Sequence, residues 1–222
     1  MCGRYTQTQA GPILLSRFRL EERVLDLNPR YNIAPGQEAP VVVREAAKTQ
    51  TTMRWGLVPS WAKDPAIGNK MINARAETIT EKPSFKRLIE RRRCLVLADG
   101  FYEWRKEERS KVPMRFVLKS REAFAFAGLW DRWRKPDGAE LRTFTIVTTA
   151  ANELMRPVHD RMPVILMRQV EEPWLDAASG NAAAILSALK PYPPELMEAY
   201  DVTTLVNSPK NDRPECVAEA GR

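Results

Sequence analysis

Residues 94–104 read CLVLADGFYEW, an apolar run broken only by Asp99, Gly100 and Glu103. Aliphatic and aromatic side chains at this density suit a pleated, half-buried surface, so the run predicts a strand. Runs of the same character recur outward from it, at 39–45 (APVVVRE), 51–58 (TTMRWGLV), 114–120 (MRFVLKS), 124–130 (FAFAGLW), 143–149 (TFTIVTT), 163–167 (PVILM) and 201–206 (DVTTLV). Turn formers such as Pro136-Asp137-Gly138 separate two of them. Together they predict a large, mainly antiparallel, barrel-like β core. Helical patterns fall between the strands. In PSFKRLIERRR (83–93) Pro83 suits a first turn, and Phe85, Leu88 and Ile89 share one face; NAAAILSALK (181–190) is good helix-forming sequence before Pro191. The expected class is α+β, with helices flanking the barrel.

The chain of 222 residues fits one domain, and no repeat or Gly/Ser-rich linker divides it. Residues 1–208 are expected to form that domain. The stretch from Pro209 to the end, PKNDRPECVAEAGR, is polar and aperiodic, so 209–222 are expected to be a partly disordered tail in which Cys216 is incidental. Lys and Arg number 35 against 28 Asp and Glu, a formal charge of +7 that favours a polyanionic partner without naming it. Three widely spaced cysteines, Cys2, Cys94 and Cys216, suggest neither a disulfide framework nor a metal or redox motif. With a single histidine there is no closely spaced ligand set, so neither metal nor cofactor is expected. No apolar segment reaches the ~18 residues of a membrane span, and the start resembles no signal peptide. A monomeric, soluble cytoplasmic protein is expected, nucleoid-associated in a bacterium.

Cysteine in second place carries particular chemistry, because loss of Met1 leaves an amine and a thiol on adjacent carbons. An α-amine of reference pKa near 8 retains a useful neutral fraction at physiological pH, so it attacks an aldehyde to form an imine. The thiol then closes a five-membered thiazolidine, a product that neither lysine nor an internal cysteine can make. His159, in RPVHDRMP (156–163), is a candidate general acid or base. Glu103 can relay protons if its strand face is the one turned to a pocket, which alternation alone leaves open. Asn73 and Arg75, in MINARAET (71–78), fall on one side of an extended segment, an amide and a guanidinium placed to hold a sugar and a phosphate. Arg161 beside His159 and Arg4 beside Cys2 offer further phosphate forks, and these arginines are expected to favour the Cys2 thiolate. Trp55 reads as core, whereas Trp61, among prolines and polar residues, reads as a surface aromatic able to stack on or wedge between bases. Lys82, Lys86, Arg87, Arg91, Arg92 and Arg93 form a basic helix edge.

The ordered series MCGRY (1–5), YNIAPGQ (31–37), RWGLVPSW (54–61), INARAET (72–78), CLVLADGFYEW (94–104) and HDRMP (159–163) closely resembles the SRAP (SOS response-associated peptidase) family. VTTLVNSPKND (202–212) resembles that family's closing strand and loop. The resemblance implies the SRAP fold and a protein that processes abasic sites in single-stranded DNA. It implies that Cys2 crosslinks to the lesion, Asn73 positions the opened sugar, Glu103 assists proton transfer at the Cys2 amine, and His159 is an acid and base on the deoxyribose. Arg75 and Arg161 would hold the flanking phosphates, with Arg4 and Trp61 lining the DNA-binding face. Autocatalytic removal of Met1 and weak strand cleavage would be side activities. Two other readings of the same residues remain at this point. A cysteine hydrolase would use Cys2, His159 and Asn73 against a peptide or amide; a non-catalytic module would shield single strands by charge and stacking.

Overall fold

In the computed structural model the run at 94–104 divides at Asp99 into two strands of different sheets, β6 (Arg93–Ala98) and β7 (Gly100–Lys106). The structure describes residues 2–20, 27–45, 47–108, 110–177 and 182–221. The first sheet joins β1 (Tyr5–Gln7), β2 (Arg30–Ile33), β7, β8 (Lys111–Leu118) and β12 (Met197–Asp201) in the order β12-β8-β7-β1-β2. In the second, β3 (Glu38–Arg44), β4 (Lys48–Trp55), β6, β9 (Phe124–Arg134) and β10 (Glu140–Ala150) run in the order β10-β4-β3-β6-β9. Pairing of β9 with β10 closes these five strands into a barrel. Two short strands, β5 (Asn73–Arg75) and β11 (Arg161–Pro163), extend it by pairing with β10 at Thr148, from opposite sides. The expected α+β class with a mainly antiparallel barrel is what the chain forms; β10 makes parallel pairings, to β4 and β5.

The helices α1 (Gly11–Phe18), α2 (Pro83–Arg91), α3 (Arg168–Leu175) and α4 (Ala182–Ser187) pack outside the sheets. Helix α2 matches the sequence reading, with Leu88 and Ile89 on its buried face. The helix expected over 181–190 is confined to α4, and Asn181 lies outside the described residues. Inside the barrel Tyr5, Trp55, Phe126 and Phe144 pack with Cys2, Val96, Phe101 and Ile146 in one apolar cluster. Tyr5 meets Trp55 and Phe126 edge-on with ring centroids 5.2 and 5.7 Å away.

The stretch beyond residue 208 corrects the expectation of a disordered tail. Residues 214–217 form a 3-10 turn, Glu219 bridges to Val202, and Cys216 is buried with Tyr102, Val202 and Val206. Polar residues hold this segment by bonding to backbone that would otherwise lack partners. Asp212 accepts from the amides of Tyr31 and Asn32 and pairs with Arg30. Asn32 in turn donates to the carbonyls of Ser208 (3.0 Å) and Asn211 (2.7 Å). Cys216 is therefore structural rather than incidental, and Arg222 lies outside the described residues.

The corner at Asp99 is held by charge. Asp99 accepts from Thr6 Oγ1 (2.6 Å), Thr8 Oγ1 (2.7 Å) and Gln9 N (3.1 Å), and pairs with Arg115 Nη2 at 3.0 Å. Gly100 allows this approach, since a Cβ there would stand 2.7 Å from Arg115 Nε and 2.9 Å from Thr6 Oγ1. Gly100→Ala is expected to lower stability by about 1–3 kcal/mol, the range for overpacking a well-filled site, as a reduced urea midpoint with unchanged slope. An unaltered midpoint would mean that Arg115 yields freely and the corner is not tightly specified.

Candidate active site

Strand β1 leads to the chain start. Tyr5 pairs with Phe101 and Thr6 with Gly100, and the carbonyl of Arg4 accepts from Tyr102 N at 2.9 Å. This antiparallel register carries Gly3 and Cys2 along β7 toward Glu103. Alternation along β7 then sorts the two faces: Phe101 joins the barrel cluster that contains Cys2, while Tyr102 and Trp104 turn to the C-terminal segment. Glu103 is 6% exposed on the Phe101 face. It lines a cleft of about 920 Å³ together with Trp104, Lys106, Lys111, Arg156, His159, Asp160 and Asn207.

Cys2 itself is fully buried. Asn73 Nδ2 donates to the Cys2 carbonyl at 2.9 Å, while Asn73 Oδ1 is buried with no hydrogen-bond partner among the described residues. The amide is positioned by its strand and by the loop before it. Ala74 turns inward, Asn73 and Arg75 share the other side of β5, and Trp55 Nε1 donates to the Ile72 carbonyl at 2.9 Å. Gly56, at φ 120°, lets the loop at 65–70 approach, because a Cβ there would lie 2.7 Å from the Gly68 carbonyl oxygen.

His159 follows a turn built by Asn152, whose Oδ1 accepts from Met155 N (3.0 Å) and whose Nδ2 donates to the Tyr192 carbonyl (2.7 Å). His159 Nδ1 lies 2.9 Å from both Arg161 N and Asp160 Oδ1. The two contacts belong to different protonation states of Nδ1. With Nδ1 bare, the neutral ring accepts from the Arg161 amide and carries its proton on Nε2; with Nδ1–H, in the other neutral tautomer or in the imidazolium, it donates to Asp160. Because Asp160 is highly exposed, the amide contact is the better defined of the two.

The expected site residues are thus brought together in part. Cys2, Asn73 and Glu103 converge, and Glu103 and His159 share the cleft. Trp55 is core and Trp61 is 60% exposed, as anticipated. Arg75 is exposed and makes no ion pair among the described residues. Two arginines make contacts within the fold that the sequence did not suggest. Arg4 donates to Asn32 Oδ1 (2.9 Å) and the Val206 carbonyl (2.7 Å), with its guanidinium 5.8 Å from the Trp104 ring centroid. Arg161 forms a fork on Glu77 at 2.6 and 2.9 Å and donates to the Thr148 carbonyl at 2.8 Å. That pairing holds the Glu77 carboxyl below the usual carboxylate range. Both guanidiniums are engaged within the fold.

The expectation that arginines favour the Cys2 thiolate is also corrected. Burial pushes the thiol up, and the negative charge of Glu103 adds to it. Sequence reasoning passed over Asp99, Arg115, Asn32 and Glu77, which place or occupy the site residues. The acidic corner Asp99-Gly100 and the Asn32 and Asp212 side chains that bind loop backbone were the available signals; nothing in sequence paired Glu77 with Arg161.

The order of strands and the closure of β9 on β10 define a barrel protein with a second sheet that carries the chain start beside Glu103. The chain belongs to the SOS response associated peptidase (SRAP) family, whose model matches residues 1–209. It is 45% identical over 221 residues to the abasic site processing protein YoqW of Bacillus subtilis (strain 168), covering 98% of this chain and 99% of that one. It is 32% identical over 222 residues to the abasic site processing protein HMCES of Xenopus tropicalis, covering 86% of this chain and 66% of that one. A crystal structure of a protein from Bacteroides thetaiotaomicron superposes with a TM-score of 0.89 and 31% identity, covering 99% of this chain and all of the other.

Burial gives the site a pH signature. Cys2 and Cys94 are both buried, and burial raises each thiol from an ordinary 9.0. A raised folded value means that the stability contribution is complete below 9.0 and is lost as pH rises above it, because the unfolded thiol ionises first. Urea midpoints measured across this range are expected to be flat on the thiol account below 9.0 and to fall above it. Cys94→Ala, though destabilising, should reduce the alkaline slope; an identical slope would place the titration elsewhere.

Proposed function

We propose that this protein processes abasic sites in single-stranded DNA by joining Cys2 covalently to the aldehyde of the lesion. The observation that carries the reading is the arrangement at the chain start: Cys2 held through its carbonyl by Asn73, with the carboxylate of Glu103 acting on it from the wall of an open cleft. The names of the relatives YoqW and HMCES support an abasic site as the substrate. Met1 lies outside the described residues, and its removal is part of the proposal.

His159, on the cleft wall, donates a proton to the ring oxygen of the closed deoxyribose as the bond from that oxygen to C1 breaks, while the C1 hydroxyl gives its proton to Glu103 and becomes the aldehyde oxygen. The neutral Cys2 amine adds to the carbonyl carbon. Both amine protons leave with the carbonyl oxygen as one water, giving an imine, and Glu103 carries protons between nitrogen and oxygen. The sulfur then adds to the imine carbon while its proton passes to the nitrogen, closing the thiazolidine. A thiol raised by burial suits this last step, since it stays protonated until the imine is present and its proton is what the ring nitrogen requires. Asn73 Oδ1, a buried acceptor, accepts from a hydroxyl of the opened sugar. Because the same acid and base act in both directions, they also assist reversal. Met1 removal by this site, and β-elimination from the imine as a weak lyase activity, follow from the same groups. The protein is proposed to act as a monomer; no described helix is long and apolar enough to cross a membrane.

The experiment mixes purified protein with a uracil-containing oligonucleotide treated with uracil glycosylase and looks for a heat-stable, slower band on a denaturing gel. Wild type should give the band and Cys2→Ala should not. Retention of Met1, verified by intact mass, should abolish it too. His159→Ala is expected to slow band formation by about 10²-fold, the usual contribution of one acid or base. Equal bands from wild type and Cys2→Ala would overturn the proposal.

A further inference from the structure

With Arg4 and Arg161 engaged inside the fold, the cations that face the cleft are others: Lys106, Lys111 and Arg156. All three are exposed, and none of their side chains is in a hydrogen bond or ion pair among the described residues. Their placement is costly in one respect. Lys106 and Lys111 are direct cross-strand partners at the end of the β7–β8 hairpin, where like charges opposite each other destabilise the pair. Of the two carboxylates in the hairpin turn, Glu107 bonds to Arg105, which also holds Asp201, and Glu108 is exposed. Arg156 stands on the far element, three residues before His159, and Asp160 is the exposed acid on that side of the cleft. Repelling cations facing a third across a cleft are relieved by an anion between them.

We propose that Lys106, Lys111 and Arg156 form a phosphate-binding track that holds the DNA strand on one flank of the lesion, the other flank lying against Arg75 and Trp61. This rests on the reading that the cleft takes a nucleic acid strand. Lys106 and Lys111 stand on the β7–β8 hairpin and Arg156 in the 152–159 turn, with Glu103 and His159 lining the same cleft. Arg75 sits on β5, beside β10, so the two groups of cations belong to different elements and grip different phosphates.

The test measures equilibrium binding rather than crosslinking. In a Cys2→Ala background, a Lys106→Gln/Lys111→Gln variant is titrated with single-stranded oligonucleotides that carry an abasic analogue at the 5′ end, at the 3′ end or in the middle. Each phosphate contact on a single strand contributes ~0.7 to the slope of log K against log salt, so losing two should reduce that slope by ~1.4. The loss should be seen with the central lesion and with only one of the two end-placed lesions, and Arg156→Gln should affect that same substrate. Equal loss with both end-placed lesions would show long-range attraction instead of a track, and an unchanged slope would show no contact; either overturns the proposal. Because binding is read without Cys2, failure of the crosslink in wild type would count against the covalent reading alone, and failure of the slope against the track alone.

Discussion

The carboxylate of Asp99 is the constraint on which the site depends. It sits where one hydrophobic run passes from the barrel to the neighbouring sheet, and it binds the hydroxyls of Thr6 and Thr8, the amide of Gln9 and the guanidinium of Arg115. A buried charge is tolerated only when its lone pairs are satisfied, and here the satisfying groups come from the first residues of the chain. The same bonds that neutralise Asp99 therefore set the register of β1 on β7. Register fixes where the first residues run along β7, because a slip of one position would turn every side chain to the other face. The closed barrel supplies the rigid wall, and the corner aims the terminus along it.

Electrostatics within the site follow from how its charges are already employed. The excess of basic residues suggests abundant open cations, yet Arg4, Arg17, Arg30, Arg93, Arg115 and Arg161 are all committed to carbonyls or carboxylates of the fold. Guanidinium suits this work because its planar fork satisfies several acceptors at once. Cations left facing the cleft are mostly lysines on a hairpin, whose flexible stems suit a moving polyanion. Meanwhile the thiol of Cys2 is kept protonated by burial and by Glu103, which separates the roles of nitrogen and sulfur: the amine begins the proposed reaction and the thiol completes it.

The C-terminal segment shows how composition misleads where backbone needs partners. PKNDRPECVAEAGR lacks apolar periodicity, the usual mark of a segment with nothing to bury. Its polar side chains instead cap and bridge backbone groups of β2 and of the 204–208 turn, and a single cysteine is enough to seat it against Tyr102. Through Val206 and Asn32 this segment also holds the Arg4 guanidinium. The end of the chain thus steadies its beginning.

Strand content, the barrel-like class and helix α2 were legible in the sequence, because alternation, β-branching and helical spacing are local properties that survive without knowledge of neighbours. So were Cys2, Asn73, Glu103 and His159 as candidates, since their chemistry is carried by residue type and by motif order. Tertiary structure alone decided that the run at 94–104 is a corner between two sheets, that Glu103 faces the terminus, and that Arg161 is held by Glu77, 84 positions away. The reason is physical. Which face of a strand is wet, which cation is neutralised and how far a thiol is raised all depend on groups brought near by folding, and no local pattern encodes their distance.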